Sequence, residues 1–178
     1  TKLHYPVHLM ADVNINMKTT DVYKKLFEES KSFYNSIKVI DSPALNSAVH
    51  FTADGFHHLR YSNSRSSRTK KERRNKFAFL KEAVEILKLS TTFQEYRLTT
   101  APIGTMDLKG FRTMTKIEFY GFWAVKKRKD SMIRVKVIVR RVINSDTYIF
   151  WSLMPDWTEK VINGQTVKYF ASPNIEEE

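Results

Sequence analysis

The chain has 178 residues, 42% of them hydrophobic and 13% aromatic, with no cysteine and a net charge of +11. Length and apolar content describe one folded domain, not a disordered chain. The lack of cysteine excludes disulfides, thiolate metal sites and a thiol nucleophile, and no apolar run approaches the roughly 20 residues of a membrane span.

Residues 1–18 carry no clear period and are expected to form an arm or short strands. Thr19, Thr20 and Asp21 offer caps for a helix through about Ile37, with Val22, Leu26, Phe33 and Ile37 as its buried stripe. Asp41, Ser42 and Pro43 break the pattern. Val49 and Phe51 then alternate with Ala48 and His50 as a strand, and Thr52 caps a short helix in which Phe56 and Leu59 share the buried face. A polar loop of serines and arginines follows near residues 62–68. From about Thr69 a second long helix is expected to reach Leu89, with Phe77, Leu80, Val84 and Leu87 inward and Ala83 and Ile86 beside them.

The remainder alternates as strands do. Phe93–Thr99, Thr115–Lys127, Met132–Ile143 and Thr147–Leu153 are expected strands, with Asn144, Ser145 and Asp146 as a hairpin turn and Pro155 as a stop. A further hairpin is expected around Asn163 and Gly164, followed by a solvated tail from residue 171. Helical periods thus lie before residue 90 and strand periods after it. The expected fold is α+β, with helices packed on one face of an antiparallel meander of four or more strands.

The positive charge is concentrated in two blocks. Residues 60–76 hold eight basic side chains against Glu72, and residues 112–141 hold ten against Glu118 and Asp130. Lys70, Lys71, Arg73, Arg74 and Lys76 crowd the start of a helix, where cations oppose the dipole and repel one another. A sequence serving stability alone would not place them there. The second block contributes Lys126, Lys127, Arg128, Arg134, Lys136 and Arg140, of which Arg134, Lys136 and Arg140 share one strand face. Two such patches point to a polyanion, with RNA first among the candidates.

The available chemistry is narrow. His57 and His58 are adjacent and so diverge on a helix instead of chelating, and no HExxH or histidine–carboxylate cluster occurs. Neither a GxGxxG nor a P-loop lies among the five glycines, and no GxSxG elbow is present. No metal and no other cofactor is therefore expected. What remains is acid–base work on a phosphodiester, with histidine moving the proton and arginine holding the phosphate. At least one of His57 and His58 must face outward, and His50 is a weaker candidate.

The order of a helix, the run Val49-His50-Phe51-Thr52-x-x-Gly55-Phe56-x-His58-Leu59-Arg60, a basic helix, and a meander ending in Phe150-Trp151-Ser152-Leu153-Met154-Pro155 carries a likeness. Over about residues 45–155 it resembles the barnase–EndoU–colicin–RelE superfamily of metal-independent ribonucleases, nearest to its phage and polymorphic-toxin branch. The resemblance implies RNA cleavage by 2′-hydroxyl attack, with His58, Arg60 and Ser152 on active-site positions and Arg73 or Arg74 as phosphate ligand. It also implies an acidic antitoxin or immunity protein as partner, and the lack of cysteine is compatible with a cytoplasmic site of action. The chain departs from the pattern in its longer, more basic segment between the histidine corner and the helix. The competing expectation is a non-catalytic RNA- or DNA-binding module, with Tyr120, Phe122, Tyr148 and Trp151 stacking on bases beside the cationic strand face.

Overall fold

The computed structural model describes the backbone of residues 8–62, 66–106, 108–128, 131–156, 158–162 and 165–169, and side chains within 21–62, 66–106, 108–126 and 133–155. Helix α1 spans His8–Ile37, well beyond the arm or strands expected for residues 1–18. Nothing between 8 and 37 is glycine or proline, and lengthening a helix that tertiary packing has already nucleated costs little per residue. Val22, expected on the buried stripe, is 64% exposed. Among the described side chains of α1, Tyr34 is the best buried, and its hydroxyl donates to the Thr52 carbonyl at 3.0 Å.

Strands β1 (Val39–Ser42) and β2 (Ser47–His50) form a short antiparallel hairpin. Helix α2 (Ala53–Arg60) follows β2 at once, with the Thr52 side chain accepting from the Gly55 amide as the sequence predicts. The long helix expected over 69–89 is two helices, α3 (Lys70–Ala78) and α4 (Leu80–Leu89), broken at Phe79. In one straight helix Phe77 and Phe79 would stand about 200° apart. Both are 3% exposed, and the break re-phases the chain so that each can face the core.

Strands β3 (Glu95–Ile103), β4 (Thr113–Arg128), β5 (Ser131–Val142) and β6 (Tyr148–Asp156) make the antiparallel meander. The sheet is nevertheless mixed: its order is β1-β2-β6-β5-β4-β3, and β2 joins β6 in parallel through Val49 and His50 opposite Tyr148 and Ile149. Alternation fixes which face of a strand is apolar but not which edge it joins. Pro155 lies within β6 instead of ending it. Strands β7 (Thr158–Ile162) and β8 (Gln165–Tyr169) pair as the expected hairpin, in a separate sheet.

Ile133, Val135, Val137 and Val139 point into the core, as their spacing predicts, together with Phe122, Phe150, Leu153 and the inward faces of α3 and α4. Between β5 and β6 the register shifts: Ile138 pairs with Ser152 and Val139 with Phe150, so Trp151 is the extra residue of a β-bulge. Helix α2 lies directly on β6. A Cβ added at Gly55 would stand 2.2 Å from the Phe150 carbonyl oxygen and 2.5 Å from the Tyr34 hydroxyl. Backbone cannot yield there as a side-chain tip would, so Gly55→Ala should cost about 3 kcal/mol. The urea midpoint measures it, and a midpoint equal to wild type would mean α2 sits further from β6 than described.

Candidate functional site

Strand β2 pairs with only the first residues of β6. Beyond them α2 and α3 take over that edge, and this geometry builds the site. The bulge leaves Trp151 unpaired at the same edge. His58 meets its ring edge-on, with centroids 4.4 Å apart, and the Arg140 guanidinium lies 4.4 Å from the indole centre. Arg68 donates from Nε to the His58 carbonyl at 3.3 Å, drawing the basic loop back onto the C-terminal turn of α2. Cations are favourable at that end of a helix.

His58 is 4% exposed. Its Nδ1 stands 3.4 Å from the Tyr61 carbonyl, which can only accept, so Nδ1 carries the proton. Nε2 is buried with a bare lone pair and no hydrogen-bond partner among the described residues. Burial first, then the charges of Arg68, Lys76, His57 and Arg140, push the imidazole down to about 3, so it is neutral near pH 7. Arg140 is itself lowered by burial.

The four expected catalytic residues divide between two places. His58 and Ser152 flank Trp151. His57 and Arg60 lie around Tyr61 instead: His57 is exposed and stacks on the Tyr61 ring at 4.3 Å, and the Arg60 guanidinium sits 5.2 Å from the same ring and 5.1 Å from Phe27. Arg60 is thus turned toward α1 and away from Trp151. Ser152, expected to line an open pocket, is fully buried, and its Oγ accepts from Lys76 Nζ at 3.0 Å. Position 152 follows the bulge directly, which carries the hydroxyl under α3.

Lys76, expected among the cations at the start of the helix, is buried as well. It is 5% exposed, and its ammonium also donates to the Leu153 carbonyl at 2.7 Å, satisfying a backbone acceptor on the covered edge of β6. No local pattern marks its burial, because its partners Ser152 and Leu153 lie 76 and 77 residues further along the chain. On the remainder of α3, Lys70, Lys71 and Arg74 are exposed, while Arg73 is half-buried with its guanidinium 5.3 Å from the Tyr23 ring. The opposing dipole is answered by a capping box: Thr69 N–H donates to Glu72 at 2.7 Å and Glu72 N–H to Thr69 Oγ1 at 3.2 Å. The Thr69 hydrogen bonds hold the Glu72 carboxyl below its usual range.

Among the described residues, several cations of the second basic block are committed to partners within the fold. Lys136 is completely buried and paired with Glu95 at 2.9 Å, which removes it from any nucleic-acid surface. Glu95 also accepts from the Trp123 indole, and Arg134 lies 4.1 Å from that ring. Lys126 pairs with Glu85 at 2.6 Å on the surface. The side chains of Lys127 and Arg128 lie outside the described residues. Of the aromatic residues expected to meet bases, Tyr120 and Phe122 are core, while Tyr148 and Trp151 are half-buried.

Among the described residues no three histidine or acidic side chains gather as a metal site requires, and no helix is long and apolar enough to cross a membrane. No protein-family model, curated protein or solved structure matches this chain.

A histidine whose folded value lies below its unfolded one stabilises fully above the unfolded pKa, and that contribution declines as pH falls from about 6.5 toward 3, because only the unfolded chain binds the proton there. The slope is at most about 1.4 kcal/mol per pH unit. Urea midpoints at about pH 7.5 and about pH 4.5 should therefore fall less for His58→Gln than for wild type. Equal losses would show that His58 is not a buried neutral group.

Proposed function

We propose that this chain is a metal-independent endoribonuclease that acts in the cytoplasm through His58. The observation that carries the reading is the bare, buried Nε2 of His58, held between Trp151 and the cations of Arg68, Arg140 and Lys76. A buried polar atom with no partner needs a reason, and strong perturbation beside charged groups marks functional positions. Nε2 takes the proton from the 2′-hydroxyl as that oxygen attacks the adjacent phosphorus. The bond to the 5′-oxygen breaks, and the imidazolium returns the proton to that leaving oxygen, giving a 2′,3′-cyclic phosphate and a 5′-hydroxyl. Burial first, and then the surrounding cations, make His58 a weak base but its protonated form a strong acid, and a phosphate arriving among them raises its proton affinity. Arg140 and Arg68 hold the phosphate charge, and Trp151 must swing aside to admit the strand. Lys70, Lys71 and Arg74 steer the backbone of the RNA, and they are also the surface an acidic inhibitor protein would cover.

The second reading is an RNA-binding module without catalysis, favoured by the 4% exposure of His58 and the complete burial of Ser152. Labelled single-stranded RNA incubated with the protein in excess chelator separates the two. Cleavage should proceed, and His58→Ala should lower its rate about 10²–10⁴-fold with RNA affinity retained. RNA bound but never cut, with or without divalent metal, establishes the module instead.

Affinity itself should depend steeply on salt, log affinity falling by about 0.7 per phosphate contacted for each unit of log salt. Changing Lys70, Lys71, Arg73 and Arg74 together to glutamine should flatten that line. An unchanged slope would show the basic helix to be solvated surface only.

A further inference from the structure

The helix layer does not cover the whole sheet. Toward the ends of β5 and β3 its helix-side face emerges as a cross-strand row in which Leu98 pairs with Glu118, Glu118 with Arg141, and Arg141 with Tyr148. Residues directly opposite one another in a sheet share a face, so these four side chains stand together. In the adjoining row, Tyr96 pairs with Tyr120. Leu98 is 48% and Tyr96 50% exposed, so this is surface, although Glu118 beneath them is buried.

The row is internally fixed. Tyr96 donates its hydroxyl to Glu118 at 2.8 Å, and Arg141 donates from Nε to the other carboxylate oxygen at 2.6 Å. Burial alone would push the Glu118 carboxyl up, but the hydrogen bonds led by those from Arg141 and Tyr96 outweigh it, so the group titrates below its usual range. The Arg141 guanidinium lies 5.0 Å from the Tyr148 ring, and its two terminal amino groups lie outside the bond to Glu118. Tyr96 is thus an exposed ring held at its hydroxyl end, losing little further freedom on contact.

We propose that this row is a second RNA subsite, in which a base stacks on Tyr96 and the neighbouring phosphate takes the terminal amino groups of Arg141. The inference rests on the RNA reading above and adds to it a holding site separate from Trp151. Arg140 and Arg141 are consecutive on β5 and so project to opposite faces. The subsite therefore serves affinity and not proton transfer. Nucleotides fit this chemistry because every base has a stackable face and every linkage a phosphate, so the subsite takes single strands with little sequence preference.

The test uses a fluorescent 2′-O-methyl dodecauridylate, which lacks the attacking hydroxyl and so cannot be cut by this route. Binding is followed by anisotropy at fixed salt. Tyr96→Leu should weaken it about 5- to 100-fold, the range for one lost base stack, and Tyr96→Phe should stay within about two-fold of wild type. Because Tyr96 is half-exposed, the urea midpoint of the leucine variant should confirm folding. If leucine binds like wild type, or phenylalanine loses as much as leucine, stacking at Tyr96 is refuted while RNA binding through the basic helix stands. If the wild type does not bind the oligonucleotide at all, the RNA reading fails and takes the subsite with it.

Discussion

At the centre of the molecule, a helix lacking a side chain at position 55 rests on the backbone carbonyl of Phe150, with the Tyr34 hydroxyl closing the gap. Every neighbouring element is located by this contact. Tyr34 bonds to the Thr52 carbonyl, and Phe51 stacks on Phe150 with centroids 4.7 Å apart and planes 9° from parallel. Each such contact is worth only about 1 kcal/mol. Together they press α2 onto β6 closely enough for His58 to reach Trp151.

The bulge at Trp151 supplies the other half of the arrangement. An extra residue in a strand twists it and re-aims the side chains on either side. Without it, a period of two would put Phe150 and Ser152 on one face and Trp151 on the other. With it, Phe150 and Leu153 fill the core, Ser152 turns under α3, and Trp151 stands at the edge between His58 and Arg140. The site is thus assembled by an irregularity in a strand whose regular part is ordinary core.

The protein's charge divides into cations committed to structure and cations left at the surface. Lys136 is tied to Glu95, and removing the carboxylate would cost about 3–5 kcal/mol because the ammonium would be left buried and uncompensated. Lys76 is tied to the edge of β6. Arg60, Arg73, Arg134 and Arg140 lie against aromatic rings, where a guanidinium keeps its charge while covering apolar surface. Lys70, Lys71 and Arg74, at the start of α3, remain exposed and close together in sequence. Among the described residues, net charge therefore overstates the surface offered to a polyanion, and α3 holds a close group of exposed cations.

By itself the sequence determined the α+β class, the Thr52 cap, the inward faces of α3, α4 and β5, and the basic start of α3, because each follows from local periodicity or capping chemistry. The same local rules hid the break at Phe79, which lets two phenylalanines that would stand on opposite sides of a straight helix both be buried. They also hid the parallel pairing of β2 with β6, since alternation says nothing about which edge a strand joins. Burial of Lys76, Lys136 and Ser152 was decided by tertiary structure, where a carboxylate or an edge carbonyl from far along the chain supplies the partner that makes a buried polar group tolerable. The histidine pair was visible in the sequence. Which of the two lies beneath Trp151 and which meets solvent depended on where α2 came to rest, and that was set by the absent side chain at Gly55.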